Sequence, residues 1–85
     1  MENLKDKLLV KGSKCNLQFS TKEREYFEQE AGFTDEEIDV FRLRSRGYSI
    51  VSICHRMEEL HGKYYSQSTI EARVRSIKAK ILNLL

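Results

Sequence analysis

The chain has 85 residues, a third of them charged, with no Pro, no Trp and a formal net charge of +2. That is room for one domain with a small core, and the abundance of Glu, Lys, Arg and Leu without proline favours an all-α fold. Two cysteines make no disulfide framework, no apolar stretch is long enough to span a bilayer, and the first apolar run, Leu8-Leu9-Val10, is too short for a secretory leader; a reducing cytoplasm is the expected setting.

Charge is unevenly distributed along the chain. Residues 1–19 carry four Lys against Glu2 and Asp6; residues 20–62 carry six basic and ten acidic groups; residues 63–85 carry Lys63, Arg73, Arg75, Lys78 and Lys80 against Glu71. The ends are positive and the middle is negative. A positive C-terminal segment can attract phosphate even on a nearly neutral domain.

In chain order, residues 1–19 read as a partly ordered basic arm or a short helix. Leu4 and Leu8 stand four apart, Gly12, Ser13 and Asn16 break the pattern, and Lys5, Lys7, Lys11 and Lys14 are placed to touch a nucleic-acid backbone. The domain proper is expected over 20–85. A first helix is predicted at about 21–31, started by the Ser20/Glu23 capping-box pattern and stopped by Gly32, with Phe19, Tyr26 and Phe27 as its apolar surface. A second is predicted at about 35–46. Thr34 and Glu37 form another capping box, Phe33 and Ile38 are spaced as a hydrophobic staple, Asp35, Glu36 and Glu37 favour the helix start, and Arg42, Arg44 and Arg46 favour its end. Val40 and Phe41 should face the core, and Gly47 ends the helix.

A third helix is predicted at about 50–61, capped by Ser49 and stopped by Gly62, with Ile50, Ile53, Cys54, Met57 and Leu60 on one buried face. The last is predicted from just after Ser66 through about 82 or the chain end. Ile70, Val74, Ile77, Ile81 and Leu84 make its apolar stripe, and Ser68, Ala72, Arg75, Ser76 and Ala79 lie opposite. Small residues beside one long cation let a helix approach another surface closely. The expected architecture is a bundle of about four helices ending in a long helix.

Phe33-Thr34, Glu37, Val40-Phe41, Leu43, Gly47, Ser49 and Ile53-Cys54, with Thr69-Ile70, Val74, Ile77 and Lys80-Ile81, resemble the helix-turn-helix of LuxR-type and sigma-factor region-four domains. The resemblance covers about 33–81. It implies that the last helix is a recognition helix in the DNA major groove and that the third crosses the backbone. On that basis Gln67, Ser68, Glu71, Ala72 and Arg75 are base-facing candidates. Gln can read adenine and Arg guanine, each in bidentate fashion, and Glu can accept from cytosine. Ser49, Arg56, Thr69, Arg73, Lys78 and Lys80 are phosphate candidates. By composition alone these cations read as a solvated face; the motif order is what directs them to DNA.

Three departures from that family stand out. The joint from Glu58 to Tyr65 is several residues longer, with His61, Gly62, Lys63, Tyr64 and Tyr65 inserted, and it decides whether the usual recognition-helix angle holds. Glu71 stands where LuxR-type domains carry Lys. The chain also has no receiver, ligand-binding or core-sigma region, so it reads as a stand-alone regulator of a phage or mobile-element type. Tyr64 and Tyr65 either close a small core under the joint or stack on sugar.

Other chemistry is not indicated. Cys54 and His55 diverge by about 100° around a helix, and His55 and His61 share no face. No metal or cofactor is expected, and no Gly-rich phosphate loop, nucleophile elbow or carboxylate pair suggests an enzyme. The expected partner is double-stranded DNA. The alternatives are an interaction module binding RNA polymerase or another regulator, and a homodimer seam formed by Ile81-Leu82-Asn83-Leu84-Leu85.

Overall fold

The computed structural model of the chain describes residues 19–85, which form four α-helices and no strand: α1 (Thr21–Glu30), α2 (Asp35–Ser45), α3 (Ile50–His61) and α4 (Gln67–Leu84). The all-α bundle expected from the sequence is what the chain forms. The basic arm expected over 1–19, with its four lysines, lies outside the described residues apart from Phe19.

Local signals start and stop each helix. The Glu23 amide donates to Ser20 Oγ at 3.2 Å and the Ser20 amide to Glu23 Oε1 at 2.8 Å. The same reciprocal box joins Thr34 and Glu37, at 3.2 and 2.9 Å. Ser49 and Ser66 accept from the amides of Ser52 and Thr69 at the starts of α3 and α4. These side chains satisfy amides that a helix start leaves without intrahelical partners. Gly62 caps α3 in the left-handed region (φ 69°) and Gly47 follows α2 at φ 90°, conformations that cost a side-chain-bearing residue dearly.

The core is built by α2, α3 and α4, each of which packs against the other two. Val40 and Phe41 from α2, Ile53 and Met57 from α3, and Ile70, Val74, Ile77 and Ile81 from α4 are all fully buried. The period-3.6 stripes read from the sequence are thus the core faces. α1 docks through Phe27, with the Phe19 ring 5.0 Å from Phe27 and 6.3 Å from Phe41. Phe33 packs its ring 5.1 Å from Phe41.

Leu60, expected on the buried face of α3, is instead 61% exposed. It sits in the last turn, where the chain leaves α3, and the core residue that follows in the chain is Tyr65 from the joint. Tyr26, expected to contribute to the apolar face of α1, is half exposed.

Candidate nucleic-acid interface

The elongated joint is tied down onto α2. His61 Nε2 lies 2.8 Å from Asp39 Oδ2, Lys63 Nζ donates to Glu36 Oε1 at 3.2 Å, and Tyr65 is buried in the core. Lys63 also lies over the Tyr65 ring, 5.3 Å from its centre. Tyr64, by contrast, is 78% exposed. Of the two tyrosines, Tyr65 closes the core under the joint, and its burial raises its phenol pKa, with the neighbouring Glu36 carboxylate adding to the rise.

Two adjacent carboxylates at the start of α2 hold cations of the C-terminal segment. Glu36 pairs with Lys63 and, at 3.6 Å, with Arg73 Nε; its carboxyl is held below the usual range, chiefly by the Lys63 hydrogen bond. Glu37 is 3% exposed and its carboxylate accepts three hydrogen bonds: from Lys80 Nζ (2.5 Å), Ser76 Oγ (2.6 Å) and, closing the capping box, the Thr34 amide (2.9 Å). Lys80 Nζ also donates to the Gly32 carbonyl at 3.2 Å. Burial pushes the Glu37 carboxyl up, but these donors and the Lys80 charge outweigh it, leaving a pKa of about 2. One side chain therefore caps α2 and fastens it to α4.

The sequence candidates fall on different sides of α4. Arg73 and Lys80, read as phosphate contacts, face α2 and are engaged by Glu36 and Glu37. Thr69 is engaged with the Ser66 cap through its amide and hydroxyl, the latter at 2.9 Å. Gln67, Ser68 and Arg75 are exposed, and Ala79 with them; Ala72 and Glu71 are half-buried. Arg75 makes no ion pair or hydrogen bond among the described residues. Burial raises the Cys54 thiol pKa, and the Glu71 carboxylate adds to it, so Glu71 sits close enough to α3 to be felt there. Lys78 is half-buried and, with Arg75, Ala79 and Leu82, lines a shallow depression of about 230 Å³.

On α3, Ser49 Oγ donates to Ser52 Oγ at 3.0 Å, and Arg56 lies over the Tyr48 ring, 5.7 Å from its centre, with Glu59 3.6 Å away. The structure thus leaves Gln67, Ser68 and Arg75 on one open face. It separates them from Arg73 and Lys80, and it puts Ser49 and Arg56 on a different helix. Among the described residues no three His, Cys, Asp or Glu side chains converge as metal ligands, and no helix is long and apolar enough to cross a membrane.

The Glu37–Ser76–Lys80 cluster was not legible in the sequence as a unit. Glu37 reads there only as a capping residue. A signal did exist: Arg73 and Lys80, seven apart, flank the same side of the α4 stripe, and α2 begins with three consecutive acids. No family model matches the chain, and no curated protein and no solved structure is significantly similar to it.

Proposed function

We propose that the chain is a sequence-specific double-stranded DNA-binding protein of the LuxR-type or sigma region-four-like helix-turn-helix class. It acts as a transcriptional regulator in a prokaryotic or phage setting, in the cytoplasm, and reads the major groove with α4. The observation that carries this reading is the open face of α4. Gln67, Ser68 and Arg75 stand exposed beside the small residues Ala72 and Ala79, and Arg75 makes no ion pair among the described residues. A long cation rising from small neighbours suits close approach to base edges, where Arg recognises guanine O6 and N7. The buried core stripe and the Glu37 fastening hold that face outward, and the pinned joint fixes the start of the helix. Of the phosphate candidates, Arg73 and Lys80 face the α2 acids, while Ser49 and Arg56 lie at and on α3, away from those acids.

A binding selection from a randomised duplex pool tests the reading. The purified protein should enrich a defined motif and bind it more weakly as salt rises. Failure to retain any duplex at low ionic strength would reject it.

A second reading, an interaction module that binds polymerase or another regulator, is favoured by one observation. Three of the five cations of residues 63–85 (Lys63, Arg73 and Lys80) are paired with α2 acids, which leaves less positive charge facing outward than the sequence promises. A homodimer through residues 81–85 has less to draw on. Ile81 is buried, and Leu82 and Leu84 pack against the core of their own chain, leaving Leu85 as the exposed apolar group.

A further inference from the structure

A second cluster of cations lies between α1 and α2, in a cleft of about 170 Å³ that no residue of α4 lines. Arg24 lines it from α1, Arg42 from α2 and Arg46 from the cap that follows α2, with Phe41 also in the lining. Arg24 has no carboxylate partner. Its only side-chain hydrogen bond among the described residues is the 3.3 Å one from Nη2 to Thr21 Oγ1, and its Nε is buried without an acceptor. A buried donor left unpaired is destabilising, more so when it carries charge. Arg46 is exposed at the cleft and makes no ion pair among the described residues. Two carboxylates also line the cleft: Glu28 is paired with Arg42 Nε at 2.5 Å, and Glu25 pairs with neither Arg24 nor Arg46.

We propose that this cleft binds a tetrahedral oxyanion of the phosphate class, held by Arg24 and Arg46 with the free edge of Arg42. Arginine forks match phosphate oxygens in pairs, and among the described residues no carboxylate occupies the terminal nitrogens of Arg24 or Arg46. Size limits the ligand. The cleft exceeds the roughly 30 Å³ share of one water but falls below the roughly 300–1,000 Å³ of pockets for larger organic molecules. It has room for one small anion. The phosphate comes either free from solution or from the backbone of a nucleic acid. This site is independent of the α4 face, so either can fail without the other.

The test is a titration of the 85-residue protein with inorganic phosphate, followed by amide shifts, against sodium chloride at matched ionic strength. Saturable one-to-one shifts are expected around 21–25 and 42–46, absent with chloride. Arg24→Lys, which keeps the charge but removes the paired donors of the guanidinium fork, should weaken binding by about tenfold, and Arg46→Gln by a similar factor. Lys22→Gln, which removes a nearby exposed charge outside the cleft, should leave it unchanged. Circular dichroism of each variant confirms that the helices are intact. If added duplex DNA displaces the phosphate from these residues, the nucleic-acid backbone is the source; if the phosphate stays in place, free phosphate is. Shifts that never saturate, that chloride reproduces, or that survive Arg24→Lys at full affinity would overturn the proposal.

Discussion

Replacing Glu37 with Gln is expected to lower the stability of the fold by about 3 kcal/mol at pH 7. The substitution keeps the shape and one acceptor but removes the charge that Lys80, Ser76 and the Thr34 amide surround. The magnitude follows from the displacement of the Glu37 pKa from an ordinary 4.5 to about 2. For a domain of this size that is a large share of the roughly 5–15 kcal/mol that separates folded from unfolded chains. The sign fixes the pH dependence. The folded-state pKa lies below the unfolded one, so the contribution is fully present above pH 4.5 and is lost as pH falls from there towards about 2. Urea unfolding of the natural protein and the Gln variant should therefore show a full gap at pH 7 that narrows through pH 4 and pH 3. A gap that stays constant across that range would mean that the ionised carboxylate is not what fastens α2 to α4. Lys80→Met should also destabilise, because it leaves a buried carboxylate without its counter-charge.

Arg75→Ala carries the second large effect, on recognition rather than stability. Arg75 is exposed and makes no ion pair among the described residues, so its loss should leave the unfolding midpoint nearly unchanged. Affinity for the selected duplex should fall by about 1–3 kcal/mol, roughly five- to 150-fold, with a much smaller loss on random duplex. Lys80→Ala gives the contrast. From sequence it was expected to weaken binding to all duplexes alike through a lost phosphate contact. With Lys80 bonded to Glu37 and Gly32, its loss should instead appear in unfolding, while binding well below the unfolding temperature changes little. Uniform affinity losses from Arg75→Ala on selected and random duplex would remove Arg75 from the base-reading role.

The elements were legible because their signals are local. Ser20, Thr34, Ser49 and Ser66 start helices in the structure as their positions in the sequence imply, and Ile70, Val74, Ile77 and Ile81 are buried as their spacing implies. Contacts that span the chain were not legible. The direction of Lys80 depends on a carboxylate 43 positions earlier, and that of Arg73 on one 37 earlier. A one-chain pattern places a side chain on a flank but cannot say which neighbour occupies that flank. The joint shows the same limit. Its length left the direction of the last helix open in the sequence, and the anchor through His61, Lys63 and Tyr65 exists only once α2 lies alongside. Leu60 matched the periodicity of α3 but fell in its last turn, where little packs against it.

The claim that α4 presents the DNA-reading face is tested most directly by residue-resolved amide shifts on adding the selected duplex at low salt. The account predicts changes concentrated at Gln67, Ser68, Ala72, Arg75 and Ala79, weakening as salt is raised. Changes that spare this face and gather elsewhere, or no change at any duplex concentration, would contradict it.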